Sequence, residues 1–115
     1  MNRYGDNLLT PPEVRDREGG EAGGVEGGGV PTVSQFYGIA VRIYYGDHPP
    51  PHFHVYYGSH EALVDMEALE ILEGSLPKRA WKLVLEWASE HREELLENWE
   101  LAQQHQPLKP IEPLE

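Results

Sequence analysis

The chain has 115 residues, of which 39% are hydrophobic and 25% charged, with no cysteine and a formal net charge of -11. This length suits one domain with a modest core. The lack of cysteine excludes disulfides, thiolate zinc sites and thiol nucleophiles. The acidic charge opposes direct binding to nucleic acid, which normally needs a basic face. No apolar run approaches the roughly 20 residues that cross a bilayer, so we expect a cytoplasmic protein.

The N-terminal segment differs in composition from the rest of the chain. Residues 1–29 hold 8 of the 12 glycines and few apolar side chains. Such a segment cannot bury enough surface to offset the entropy lost on ordering. We therefore predict a disordered extension over residues 1–29 and a single domain over residues 30–115. A gene-level alternative is that Val30 is translated from a GTG start codon, so that the natural protein lacks the extension.

Alternation of apolar and polar residues predicts strands in the first half of the domain. The first predicted strand places five side chains on one face, namely Tyr37, Ile39, Val41, Ile43 and Tyr45. Residues 52–57 alternate again, with Phe53 and Val55 opposite His52 and His54. The runs 61–65 and 69–73 predict two more short strands, the last of which stops at Gly74. Their order predicts an antiparallel meander of three or four strands.

The sequence of the second half of the domain predicts one long helix. Ser75 and Pro77 suit its start, because serine can cap free amides and proline fits the first turn. An apolar stripe then continues to about Gln104 and contains Trp81, Val84, Leu85, Ala88, Leu95, Leu96, Trp99 and Ala102. Glutamates form another stripe, namely Glu86, Glu90, Glu93, Glu97 and Glu100. The expected fold is therefore α+β, with a small antiparallel meander packed against one long C-terminal helix.

The predicted helix is longer than the sheet that it covers. About 28 residues at about 1.5 Å each give a length of roughly 42 Å. Its far end, around Trp99, would overhang the sheet and expose an apolar ridge. Either the proline-rich tail over residues 107–113 or a partner chain would cover that ridge.

The densest group of chemically active side chains lies in the segment 47–55, which reads Asp-His-Pro-Pro-Pro-His-Phe-His-Val. Imidazole changes charge near neutral pH and is the commonest metal ligand. In a strand, His52 and His54 point to the same side, about 7 Å apart along the chain. Glu61 or Asp65 would face that side if the register permits. The candidate ligands for zinc, manganese or nickel are Asp47, His48, His52 and His54.

Three interpretations of this segment stay open. In the first it is structural, with a capped turn, rigid prolines and histidines that stack on tyrosines or bond to carbonyls. In the second it binds a divalent metal that activates water for hydrolysis, while an unligated carboxylate takes the proton. In the third it works without a metal and positions a phosphodiester as small ribonucleases do. The catalytic candidates are then Arg42, Tyr44, His52 and His54.

Several segments resemble a small bacterial family that is numbered 4160 among the domains of unknown function. The resemblance rests on residues 34–39, 44–55, 73–79 and 94–99, and its most specific part is the proline and histidine run. The family's motif residues match Asp47, His48, Pro50, Pro51, His52, Phe53 and His54. The resemblance implies a stand-alone protein, often encoded beside another small protein in the manner of toxin and antitoxin pairs. It implies no established reaction.

Two functions follow as expectations, and whether the protein is an enzyme stays open. The first is a partner-binding component of a two-gene regulatory or toxin-antitoxin-like module. Its docking candidates are Glu93, Glu97 and Trp99, and its partner would be a second copy or a small protein encoded nearby. The second is a metal-dependent hydrolase or nuclease built on the histidine-rich segment. A DNA-binding regulator ranks last, because the predicted helix is acidic.

Overall fold

The computed structural model describes residues 31–115, and the predictions made for residues 1–29 and for Val30 lie outside that range. Five antiparallel strands form one sheet in the order β1-β2-β3-β4-β5, and two helices follow. The elements are β1 (Thr32–Phe36), β2 (Ile39–Arg42), β3 (His52–Tyr57), β4 (His60–Asp65), β5 (Ile71–Gly74), α1 (Lys78–Glu90) and α2 (Arg92–Gln103). The predicted α+β class and meander are confirmed. Within the described residues, neither helix is long and apolar enough to span a membrane.

The sheet has five strands rather than three or four, because the first predicted strand is a hairpin. β1 and β2 are joined by Tyr37 and Gly38, whose φ angles are +50° and +79°. Positive φ at both central residues is the geometry of a type I′ hairpin turn. Tyrosine is rarely found in this conformation, whereas Asn-Gly or Asp-Gly would have marked the turn in the sequence. The unbroken alternation across residues 37–45 therefore concealed it.

The two faces of the sheet differ in chemistry. One face, called the apolar face, carries Ile39, Val41, Phe53, Val55, Ala62 and Val64, all of which are buried. The ring of Trp87 in α1 packs on this face, with ring centroids 5.2 Å from Phe36 and 6.2 Å from Phe53. The opposite face, called the polar face, carries Arg42, His52, His54, Tyr56 and Glu61. The predicted alternation in β2 and β3 is confirmed.

The single long helix of the sequence prediction is wrong, because the chain leaves helical geometry at His91. His91 has φ -123° and ψ 23°, and its N–H bonds to the Ala88 carbonyl three residues back. Trp87 of α1 and Trp99 of α2 lie on either side of the break, and both are buried. A straight helix would have carried the second tryptophan beyond the small sheet.

The C-terminal tail packs over the helices. From the sequence we expected that either this tail or a partner chain would cover the region around Trp99. The Ile111 N–H donates to the Val33 carbonyl at 2.8 Å and extends the pairing at the β1 edge. The Asn98 side chain exchanges two hydrogen bonds of 2.8 Å with the Lys109 backbone. The Trp87 indole donates to the Glu112 carbonyl at 2.8 Å. Trp99 is 5% exposed and therefore forms no exposed ridge.

We expect the tail to contribute substantially to folding stability. Ile111 is 4% exposed and belongs to the core, so Ile111→Ala should lower the free energy of unfolding by about 2 to 5 kcal/mol. Urea denaturation followed by tryptophan fluorescence measures this change. Leu72→Ala is the matched control, since Leu72 is 45% exposed and its loss should change stability by less than about 0.5 kcal/mol. Equal effects from the two substitutions would contradict a core role for the tail.

Candidate functional site

The candidate site forms where the segment between β2 and β3 meets the polar face. Gly46 allows the segment to turn there, with φ +67°, and its N–H donates to the Ala102 carbonyl at 3.3 Å. The Gln103 side-chain amide donates to the Asp47 carbonyl at 2.8 Å. The end of α2 therefore holds Asp47 in place against the sheet. β3 supplies His52 and His54, which are buried at 2% and 7% exposure.

Two imidazole nitrogens converge on one carboxylate oxygen. Nε2 of His52 lies 3.0 Å from Oδ2 of Asp47, and Nε2 of His54 lies 3.2 Å from the same oxygen. One ligand atom from each of the three residues lies within 4.8 Å of the other two. The proline corner brings together residues that are 5 and 7 positions apart in the chain. Asp47, His52 and His54 are called the triad below.

The other nitrogen of His52 determines what its Nε2 atom can do. Nδ1 lies 2.7 Å from the Pro50 carbonyl oxygen, which can only accept, so Nδ1 carries the proton of this bond. In the neutral ring the Nε2 lone pair then faces the Asp47 carboxylate, and this contact is repulsive. Only a second ring proton or a bound cation makes the contact attractive.

His54 has a similar arrangement, with a carboxylate near each nitrogen. Its Nδ1 lies 3.6 Å from Oε2 of Glu61, which is an ion-pair distance but too long for a hydrogen bond. Nδ1 is buried and has no hydrogen-bond partner within residues 31–115. Glu61 lies on the polar face of the sheet because it pairs with Tyr56 across β3 and β4. The register places both Glu61 and Asp65 on the polar face, with Asp65 opposite His52, and the Glu61 carboxylate is the one that lies near His54.

The charges of the triad reinforce one another. Burial alone would raise the pKa of the Asp47 carboxyl, but its hydrogen bonds to His52 and His54 outweigh burial and hold the pKa well below its usual range. Burial disfavours the charged form of His54, yet Asp47 and Glu61 raise its pKa above the ordinary value. The His54 imidazole in turn lowers the pKa of Glu61. The site therefore favours cations between its carboxylates.

Aromatic rings restrict both histidines. The Trp99 ring packs against His52 at 5.2 Å, and the Tyr44 ring meets His54 edge-on at 4.6 Å. The Tyr56 ring is nearly parallel to His54, with the ring centroids 6.5 Å apart, and the Tyr44 and Tyr56 hydroxyls hydrogen-bond at 2.8 Å. Burial raises the pKa of Tyr56, so its hydroxyl stays neutral. The imidazoles are thus held in fixed orientations before any ligand binds.

The remaining predicted residues lie around the triad. His48 is exposed and contacts the other Asp47 oxygen, with Nδ1 3.2 Å from Oδ1, so it is not one of the three converging groups. The Arg42 guanidinium lies 4.7 Å above the Tyr56 ring, and its Nε is buried without a hydrogen-bond partner in the described part of the chain. Gln103 was not predicted, because it lies 56 residues from Asp47 and no local pattern connects them.

We predict a pH dependence of stability in chelator-treated protein. The lowered Asp47 pKa contributes stability above the ordinary value of 3.8, and this is lost as the pH falls through the folded-state pKa. The raised His54 pKa contributes stability below the ordinary value of 6.5, and this is lost as the pH rises through the folded-state pKa. The melting temperature should therefore fall as the pH rises above about 6.5, and less steeply in His54→Gln. Identical slopes for the two proteins would contradict the assignment.

The family model that matches this chain is described as Domain of unknown function (DUF4160) and covers residues 38–100. The match spans more than half of the 115 residues and includes the whole triad. No curated protein and no solved structure matches the chain. The resemblance noted from the proline and histidine run is thus confirmed over most of the described domain. The chain belongs to the DUF4160 family of domains of unknown function.

Proposed function

We propose that this protein is a metal-dependent hydrolase whose divalent ion is bound by Asp47, His52 and His54. One observation carries the proposal: both Nε2 atoms point at a single carboxylate oxygen, while each Nδ1 atom faces another acceptor. Nitrogen lone pairs that point at a carboxylate oxygen repel it. A cation bound between them turns this repulsion into attraction, so the arrangement becomes favourable.

The two nitrogen-to-carboxylate distances are close to those between neighbouring ligands of a small divalent ion. Zinc binds imidazole nitrogen at about 2.0 to 2.1 Å and carboxylate oxygen at about 2.0 to 2.2 Å, so neighbouring ligands in a tetrahedral site lie about 3.3 Å apart. The two nitrogen to Oδ2 distances are 3.0 and 3.2 Å. Without cysteine, the nitrogen and oxygen donors suit zinc, manganese or nickel.

The surroundings of the triad match those of metal ligands. A ligating histidine usually donates its other ring N–H to a backbone carbonyl or a carboxylate, which fixes the tautomer. The Pro50 carbonyl has this position for His52. Glu61 lies on the corresponding side of His54, but its Oε2 atom is 3.6 Å from Nδ1, beyond hydrogen-bond distance. Three protein ligands leave a coordination position for water or substrate, which is typical of catalytic rather than structural sites. A divalent ion held in this way supplies Lewis-acid activation of water for hydrolysis.

The neighbouring polar residues have proposed roles of their own. Glu61 suits the orientation of His54 better than proton abstraction, because its lowered pKa makes it a weak base near neutral pH. Arg42 and Tyr44 border the triad and are proposed to contact the substrate. The metal-free alternative would use His54 as the acid or base. It is less favoured, because His54 is buried and held against Asp47.

Metal binding by the purified protein tests the proposal. Titration calorimetry with Zn²⁺, Mn²⁺ and Ni²⁺ should show one ion per chain for at least one of these metals. Asp47→Asn and His54→Ala should each weaken binding by about 100-fold or more, since losing even an outer-shell partner costs about 10-fold to 100-fold. The same ion should raise the melting temperature of the wild type and not that of the variants.

His60→Ala is the matched control for the metal titration, because His60 is an exposed histidine of β4 outside the triad. Its affinity should equal that of the wild type. Binding that weakens equally in His60→Ala would indicate adventitious surface coordination. A wild type that takes up none of the three ions, with an unchanged melting temperature, would remove the support for a metal-dependent reaction.

Partner binding is a second proposal, and two exposed carboxylates favour it. Glu93 and Glu97 lie on the solvent side of α2, although Glu97 also pairs with Lys109. Trp99 is buried against His52 and offers no exposed surface. A second copy or a protein encoded nearby would dock on this acidic side of α2.

Analytical ultracentrifugation of the protein, alone and co-expressed with the product of the neighbouring gene, tests partner binding. A stable dimer or complex that Glu93→Lys and Glu97→Lys disrupt would support it. Leu72→Ala changes an exposed residue of the edge strand β5 and should leave such a complex intact. A strictly monomeric chain that fails to retain the neighbouring product would contradict it.

A further inference from the structure

A second concave surface lies between α1, the turn that joins β1 and β2, and the end of the tail. It encloses about 420 Å³, a volume in the range of small-ligand sites. Its lining consists of Tyr37, Tyr57, Arg79, Ala80, Leu83, Glu86, Leu114 and Glu115. None of these residues belongs to the triad or contacts it. This surface, called the tyrosine groove, is therefore separate from the proposed metal site.

Tyr37 is the least expected residue of the tyrosine groove. Its φ of +50° is uncommon for any residue other than glycine and costs free energy that asparagine or glycine would avoid. Its side chain is also 60% exposed, so packing does not compensate for this cost. Neither turn geometry nor core formation explains a tyrosine here. A contact between the Tyr37 ring and another molecule would explain why a tyrosine occupies this position.

The groove combines aromatic surface with negative charge. Tyr37 and Tyr57 present rings, and the exposed carboxylates of Glu86 and Glu115 border the same space. A cation over a tyrosine ring is attracted by the negative face of the ring, and nearby carboxylates add to that attraction. The whole chain, with a net charge of -11, attracts basic partners over longer distances.

We propose that the tyrosine groove binds a lysine or arginine side chain on an extended segment of a partner protein. The volume accommodates a side chain and a short length of backbone but no helix, whose diameter is about 10 Å or more. Arg79 is the one cationic residue in the lining. Its guanidinium donates only, which suits the backbone carbonyls of the same segment and favours a peptide over a free amine.

Peptide titration observed by NMR tests this proposal. The probes are three acetylated and amidated tripeptides, Gly-Lys-Gly, Gly-norleucine-Gly and Gly-Glu-Gly, added to ¹⁵N-labelled protein. The lysine peptide should shift the amide signals of Tyr37, Gly38 and Leu83, and the two others should not. Tyr37→Asn and Glu86→Gln should each weaken lysine-peptide binding by about twofold to fivefold, the effect expected from losing one cation–π or charge contact.

Tyr37→Asn separates a binding role from a structural one. Asparagine tolerates positive φ better than tyrosine, so this variant should melt at the wild-type temperature or higher while it loses affinity. Leu72→Ala, which is exposed but distant in sequence from the groove lining, should bind as the wild type does. Equal shifts from the lysine and norleucine peptides, stronger binding of the glutamate peptide, or no localised shifts would each overturn the proposal.

Discussion

The contact that the rest of the site depends on is the meeting of two buried imidazoles at one oxygen of Asp47. Buried polar groups are costly unless they are paired, and here the pairing depends on a proton or a cation between the imidazoles and the carboxylate. The polar face of the sheet is consequently as well packed around β3 as the apolar face. Both faces of β3 are buried between His52 and Val55, because Trp87 of α1 packs on the apolar face and Trp99 of α2 packs against His52 on the polar face.

The two faces of the sheet have different roles. The apolar face packs on α1 through Phe36, Phe53 and Trp87 and provides most of the core. The polar face arranges Arg42, His54 and Tyr56 in register across β2 and β3. Because alternate residues of one strand serve both faces, a one-residue slip of β3 would exchange Phe53 with His54 and destroy core and site together. The pairing register is therefore constrained by both folding and chemistry.

Much of this arrangement could be predicted from the sequence, because it depends on local patterns. The alternation of Phe53 and Val55 with His52 and His54 set the two faces, and the proline corner identified Asp47 as their neighbour. The turn at Tyr37 could not be predicted, since a tyrosine at positive φ gives no turn signal. The helix break at His91 could not be predicted either, because neither glycine nor proline lies near it in the sequence. Long-range contacts such as that of Gln103 leave no trace in local periodicity.

The anchoring of Asp47 by α2 determines when the site can form. His52 and His54 belong to a hairpin with β4 that involves only nearby residues, whereas Asp47 is held by Ala102 through Gly46 and by Gln103 directly. The strand positions of the histidines therefore depend on local pairing, whereas the position of the third group of the triad depends on α2. The triad is complete only when the last helix is docked, so an intact triad indicates that the C-terminal half of the domain is folded.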